Sequence, residues 1–280
     1  MARFRRTRRI LTVIGTLVLI VVAYRVLAVY EFRSGDCAAD KPRKFTGTYP
    51  KRLVVMSYNI EGHASLLRTD HIEQIAETIR TYKPDIVGIN EAHRGTWQAR
   101  FGDHVNALAR LTGMQASFGT SYTFLGGAFG NAILTRGRIL STNVHELPGT
   151  GEPRTLLESV VQIDGGTIEF YVTHLQAWAS LGQKGRDLQL QCVADHINAS
   201  DHPFILTGDL NAPPESGELA RFLGKSILQL AGDPKAPTHR VMEQRLDYIL
   251  ADKGWQVRGA RVLDDGPSDH RPVIAELVHP

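Results

Sequence analysis

The chain has 280 residues, 32 Lys and Arg against 29 Asp and Glu, a formal net charge of +3, and only two cysteines. Hydrophobic residues at 42% and charged residues at 22% are ordinary for a packed domain, which excludes a disordered or collagen-like chain. Two cysteines exclude a disulfide framework and a four-cysteine zinc site.

The charge is split along the chain. Residues 1–44 hold ten basic and three acidic side chains, whereas residues 45–280 hold 22 basic and 26 acidic ones. Residues 1–9 carry Arg3, Arg5, Arg6, Arg8 and Arg9, and an uncharged apolar run follows from Ile10 to Tyr24. Past Arg25 the run continues to Tyr30, so residues 10–30 make 21 residues, about 30 Å as a helix, the thickness of a bilayer's hydrocarbon core. This predicts one N-terminal transmembrane signal-anchor, with the arginines cytoplasmic and the rest of the chain extracytoplasmic. A cleaved signal peptide, leaving a secreted protein, is the alternative. Residues 31–50, rich in Gly, Pro and Lys, read as a linker. Cys37 falls in that linker and Cys192 in a predicted helix, so two free thiols are expected, with a bridge as the alternative.

Residues 51–280 read as one catalytic domain of mixed α/β (α+β) character. Leu53–Tyr58 is a strand; residues 70–81 show helical spacing; Ile86–Ile89 is a second strand; residues 97–111 show helical spacing again. Strands then dominate, at 132–134, 139–147, 156–163 and 168–173, the last two joined through Gly165-Gly166. A helix over 186–199, a strand over 204–207, a short helix over 216–223, and strands over 246–250, 256–263 and 273–278 complete the chain. Helices mixed with hairpins point to mixed sheets covered by helices.

Chemically useful residues stand at or just past five strand ends: Asn59 with Glu61, Asn90 with Glu91, His174, Asp209 with Asn211, and Asp269 with His270. Singly, each is an ordinary turn. Jointly, five turns all bearing such groups at converging strand ends describe a site.

The stretches Met56-Ser57-Tyr58-Asn59-Ile60, Asp85-Ile86-Val87-Gly88-Ile89-Asn90-Glu91, Gly130-Asn131-Ala132-Ile133-Leu134, Thr173-His174-Leu175, Gly208-Asp209-Leu210-Asn211, Arg245-Leu246-Asp247-Tyr248-Ile249 and Ser268-Asp269-His270-Arg271-Pro272 follow in order. The pattern resembles the endonuclease/exonuclease/phosphatase superfamily of metal-dependent phosphoesterases. The resemblance implies a four-layer sandwich, two mixed β-sheets face to face with helices outside.

It also implies roles. Hydrolysing a phosphoester needs an activated water, charge neutralisation and help for the leaving oxygen. Glu91, Asn59 and Asp269 would hold Mg²⁺, with Mn²⁺ as a substitute, and Glu61 would stand near through water. His270, oriented by Asp247, and Asp209 are both candidates for the general base, and Asn211 would donate to a phosphate oxygen. His174 would stabilise the transition state, and Arg154 offers a phosphate contact or is a solvated loop arginine. Asn131 braces the site, and Phe129 stands where many relatives carry Tyr. His63, His71, His93 and His239 show no metal spacing and read as surface residues, which disfavours zinc.

The substrate is less legible. A domain of net −4 lacks the basic stripe of a non-specific nuclease, while the anchor favours a substrate near a membrane. Three substrate classes remain open: nucleic acid, a phospholipid headgroup, or a small phosphorylated molecule. A monomer is expected. Trp178, just after His174, would stack on a base, dip into headgroups, or pack. A membrane-tethered binding protein without catalysis is the reading of another class, opposed by the intact set of polar residues.

Overall fold

The computed structural model describes residues 33–37, 47–177, 179–200, 202–225 and 227–280. The proposed anchor at 10–30 and Trp178 lie outside them. No helix among the described residues is long and apolar enough to cross a membrane.

The first half contains β1 (Arg52–Asn59), a 3-10 turn (Gly62–Leu66), α1 (His71–Tyr82), β2 (Ile86–Arg94), α2 (His104–Thr112), β3 (Gln115–Phe124), β4 (Gly127–Thr135) and β5 (Arg138–Leu147). The second half contains β6 (Arg154–Ile163), β7 (Gly166–His174), α3 (Ala179–Asn198), β8 (Phe204–Asp209), α4 (Gly217–Lys225), β9 (Leu228–Leu230), β10 (Asp247–Asp252), β11 (Gln256–Val262) and β12 (Val273–Val278). They form two six-stranded mixed sheets, ordered β11-β12-β1-β2-β4-β3 and β5-β6-β7-β8-β10-β9.

Period-two alternation decides the layering, because successive strand side chains point to opposite faces. In β1, Leu53 and Val55 enter the core between the sheets, while Met56 and Tyr58 turn outward onto α1 and α2. In β8 and β10, Ile205 and Ile249 face inward, while Leu206 and Leu250 pack under α3 and α4. Three apolar layers therefore separate helices, sheet, sheet and helices, the four-layer sandwich the resemblance implied.

Several elements differ from the sequence reading. The helix predicted to start at 97 begins at His104, because Asp103 caps it, accepting from Asn106 N at 3.0 Å. Ahead of that cap, Arg100 and Phe101 adopt positive φ. The Gly165-Gly166 turn is instead Asp164-Gly165, with φ of 47° and 74°, and Gly166 already pairs with Ile163. β3 and β9 were not predicted, and the helix read from 186 starts at Ala179.

The free-thiol expectation is overturned: Cys37 and Cys192 form a disulfide, with Cα atoms 4.8 Å apart. Residues 33–37 dock as a strap beside the end of β5. Arg33 and Gly149 form an antiparallel bridge, and Asp36 N donates to Glu146 O at 2.7 Å. That docking carries Cys37 to α3. His71 and His93 are also not surface residues; both are buried, with His71 Nε2 2.6 Å from Ile60 O.

Candidate active site

The same alternation that builds the inner core carries polar side chains to its rim. β1 continues inward from Val55 through Ser57 to Asn59, and β2 from Ile86 through Gly88 to Asn90. β7 runs inward through Phe170 and Val172 to His174, and β8 through Ile205 and Thr207 to Asp209. β1 and β2 are parallel with Asn59 opposite Asn90; β7 and β8 are parallel with His174 opposite Asp209. β10 runs antiparallel to β8 and starts with Asp247 opposite Asp209. Register alone thus gathers five of these groups at one end of the sandwich.

Glu91 would point to the wrong face in a regular strand. A bulge between Ile89 and Ala92, with Glu91 at φ 62°, turns it into the rim. Asn59 Nδ2 then donates to Glu91 Oε1 and to Asp209 Oδ2, both at 3.1 Å, joining the two sheets. Asn90 makes a second tie: its Nδ2 donates to Asn131 Oδ1 at 2.9 Å and to Thr173 O at 3.0 Å, and its Oδ1 accepts from Asp209 N at 2.9 Å. Asn131 itself donates to Thr155 O at 3.2 Å, which ties β4 to β6.

The segment before β12 supplies the imidazole. Asp247 Oδ2 lies 2.7 Å from His270 Nδ1, and His270 Nε2 lies 3.7 Å from Asp209 Oδ2. His174 Nε2 reaches the same Asp209 oxygen at 3.6 Å. All four are buried. Burial works against a charged His270, but the Asp247 and Asp209 carboxylates outweigh it and raise its pKa to about 10. Burial and the Asp247 charge push Asp209 up to about 7. Burial and the Arg154 charge hold His174 well below the ordinary imidazole value, so it is neutral.

Glu91 is a carboxylate in spite of its burial, because hydrogen bonds from His63 and Asn59 and the charge of His270 favour the ionised form and hold its pKa well below the usual range. Asp269 and Glu61 stand beside it: Glu61 Oε2 accepts from Asp269 N at 3.1 Å, and His63 lies 3.8 Å from Glu61 and 3.7 Å from Glu91. Two carboxylate-imidazole clusters are tight enough to hold a cation, Asp209–Asp247–His270 and His239–Asp269–His270. Both depend on His270, whose Nδ1 is committed to Asp247. The oxygen-rich side, Glu91 with Asp269 and Glu61, fits a hard divalent ion better.

Arg154 is buried, not solvated. Its Nη2 lies 3.1 Å from Glu152, while Nε and Nη1 meet no protein acceptor. Asn211, at φ 48°, donates to Leu175 O at 2.9 Å, which fixes its amide next to His174. The sequence reading assigned no part to Ser268, whose Oγ donates to Asn59 O at 2.7 Å and accepts from His270 N at 3.1 Å. Thr238 was also missed; its Oγ1 accepts from Leu246 N and Asp247 N. His63 is exposed, as expected, yet lies 3.7 Å from Glu91; His239 is largely covered and lies 3.9 Å from Asp269.

The sequence profile of the Endonuclease/Exonuclease/phosphatase family matches residues 56–270. No curated protein matches by sequence. Among solved structures, an endonuclease/exonuclease/phosphatase from Beutenbergia cavernae DSM 12333 aligns with a TM-score of 0.70 at 24% identity, over 82% of this chain and 72% of that one. The human Nocturnin catalytic domain with bound sulfate aligns with a TM-score of 0.67 at 22% identity, over 86% of this chain and 100% of that one. A mannosyl-6-phosphatase from Bacteroides thetaiotaomicron VPI-5482 aligns with a TM-score of 0.65 at 21% identity, over 81% and 99%. At these identities the structural matches establish the fold.

Proposed function

Because the chain belongs to the endonuclease/exonuclease/phosphatase family, whose members hydrolyse phosphoesters, we propose that it is a membrane-anchored, divalent-metal-dependent phosphodiesterase. The observation that carries this is the buried array Asp247–His270–Asp209, joined through Asn59 to the ionised Glu91. Asp209, near 7, accepts the proton of the attacking water, and Asn211 aligns the phosphate. His270, held protonated by Asp247, donates to a phosphoryl oxygen. Neutral His174 donates a further hydrogen bond to the developing charge, and the uncommitted N–H groups of Arg154 bind another phosphoryl oxygen.

Glu91, Asp269 and Asn59 would hold Mg²⁺, or Mn²⁺ in its place, and the ion would neutralise phosphoryl charge and assist the leaving oxygen. Residues 10–30 would keep the site on the extracytoplasmic side of the membrane. The mannosyl-6-phosphatase among the structural neighbours supports a second reading, a phosphomonoesterase on the same residues.

Steady-state hydrolysis of bis-p-nitrophenyl phosphate against p-nitrophenyl phosphate, by the full chain in detergent, separates the two readings. Mg²⁺ should support the diester reaction and EDTA should abolish it. Glu91→Ala and His270→Ala should each lower kcat by about 10²-fold or more. Activity that survives EDTA, or is unchanged in both variants, would overturn the mechanism.

A further inference from the structure

Residues 238–244, ahead of β10, fold back on themselves. Glu243 N donates to His239 O at 3.0 Å, and Thr238 N and His239 N donate to Gln244 O at 2.9 and 3.0 Å. The turn is docked on the segment that supplies Asp269 and His270. Arg240 N donates to Asp269 O at 2.8 Å, Arg271 N donates to Thr238 O at 2.6 Å, and His239 and His270 form an antiparallel bridge. The two imidazole rings meet edge to face, with centroids 4.7 Å apart. The His239 side chain is only 12% exposed, so its ring is held against the wall of the site.

Local hydrogen bonding fixes which nitrogen of His239 carries the proton. Two backbone amides, Val241 N at 3.2 Å and Met242 N at 3.1 Å, donate to its Nδ1. A ring nitrogen that accepts is unprotonated, so the imidazole is neutral and its hydrogen sits on Nε2. Neither nitrogen then has a free lone pair, which removes His239 as a metal ligand even though it, Asp269 and His270 bring ligand-type atoms within 4.8 Å of one another. The Nε2–H meets no acceptor among the described residues. Asp269 Oδ2 stands 3.9 Å away, beyond hydrogen-bond reach.

An uncommitted donor fixed in this position suits a departing oxygen. The clusters Asp209–Asp247–His270 and His239–Asp269–His270 have His270 alone in common. In-line displacement at phosphorus sets the attacking and departing oxygens on opposite sides. With the phosphoryl group on His270 and the attacking water on Asp209, the departing oxygen falls on the side of His239 and Asp269. We infer that His239 is a further catalytic residue, whose Nε2–H donates a hydrogen bond to the leaving-group oxygen as its bond to phosphorus breaks. The imidazole keeps its proton and stabilises the developing negative charge. Asp209 takes the proton of the attacking water, and the released alkoxide is protonated by solvent. The role rests on the phosphoesterase reading and adds a leaving-group class to it. An alkyl or sugar alkoxide, a poor leaving group, gains most from the donor, and an acidic phenol gains least.

His239→Asn and His239→Gln separate the donor from the turn. Asn sets Oδ1 where Nδ1 stands and still accepts from Val241 N and Met242 N, but it carries nothing at the position of Nε2. Gln sets an amide N–H near the position of Nε2 and has no acceptor for the turn. For the full chain in detergent, kcat/KM would be measured on bis-p-nitrophenyl, diphenyl and dibenzyl phosphate, in order of worsening leaving group. His239→Asn should lose about 10²-fold on the benzyl ester and about tenfold less than that on the p-nitrophenyl ester, so that rate falls more steeply with leaving-group pKa. His239→Gln should recover about tenfold of the benzyl loss.

An equal loss on all three esters, or activity kept by His239→Asn and lost by His239→Gln, would show that His239 serves only the turn and overturn its catalytic role. Mn²⁺ affinity, measured by titration calorimetry without substrate, should be the same for the unaltered chain and His239→Asn. Weaker binding by the variant would make His239 a ligand or a prop for Asp269, and would overturn the role as well. If the unaltered chain hydrolyses no diester, the phosphodiesterase reading fails by itself, and the same comparison on p-nitrophenyl, phenyl and benzyl phosphate decides the role of His239. A chain inert on both series overturns the two together.

Discussion

Asp247 is fully buried, gives one carboxylate oxygen to His270 Nδ1 at 2.7 Å, and leaves Oδ1 without a partner. A buried carboxylate half-satisfied in this way is costly unless the imidazolium it holds is used. Asp247→Asn keeps the shape and removes the charge that keeps His270 protonated. It should lower kcat by about 10²–10³-fold with KM little changed, and steady-state kinetics on a soluble diester would read the split. His174, Asp209 and His270 could be singled out because each stands beside a strand end in the sequence, whereas Asp247 entered only through the family resemblance. Ser268 and Asn90 were not assigned bracing roles, because their partners lie far along the chain: Ser268 holds a carbonyl 209 positions away, and Asn90 accepts from an amide 119 positions away. Arg154 was ambiguous for the same reason. Nothing local to Gly151-Glu152-Pro153-Arg154 says that its side chain is buried.

At the scale of elements, alternation identified the central strands and failed at the edges. β3 lies at a sheet edge with most residues partly exposed, so Gln115–Phe124 shows neither a clean apolar face nor a run. The helix predicted from 97 had the right apolar spacing, and the Asp103 cap decided its start instead. Gly88 in β2 read as one more buried strand residue, yet it sets how closely the sheets approach. A Cβ there would meet Thr207 Oγ1 at 1.9 Å and Val172 Cγ2 at 3.0 Å. Gly88→Ala should destabilise the fold by about 1–3 kcal/mol, seen as a lower urea midpoint at unchanged slope. The layer beneath α1 and α2 sets a pH response. Burial depresses the pKa of His104 to about 3 and that of His71 below its ordinary value of 6.5. Both are neutral in the fold, whereas the unfolded chain takes up protons below about pH 6.5. Stability is therefore complete above that pH and falls as pH drops toward the folded values, by about 1.4 kcal/mol per unit for each histidine. Melting temperatures between pH 7 and pH 5 should decline, and His104→Gln should flatten that decline.

Across the whole molecule, the disulfide joins what the sequence showed as separate parts. Cys37 and Cys192 are 155 positions apart, and only docking of 33–37 along β5 brings them together, which composition and spacing do not encode. A persistent structural disulfide suits an oxidising compartment, the side of the membrane to which the basic leader would deliver the domain. The loop it closes spans most of the catalytic domain, so its effect on the unfolded chain is large, about 4–5 kcal/mol on chain-entropy grounds and commonly less when measured. Cys37→Ala with Cys192→Ala should lower the melting temperature by about 5–15 °C. Dithiothreitol should lower the melting temperature of the unaltered protein toward that of the double variant and leave the double variant unchanged. Differential scanning calorimetry with and without reductant checks both, and a transition insensitive to reductant and to the substitutions would show that the strap does not hold the domain. Because the strap also fixes Gly151 through Arg33, the double variant bears on the site as well. The Glu152–Arg154 segment should loosen, raising KM for a soluble phosphodiester more than it lowers kcat, since in the proposed mechanism Arg154 would bind phosphate in ground state and transition state alike.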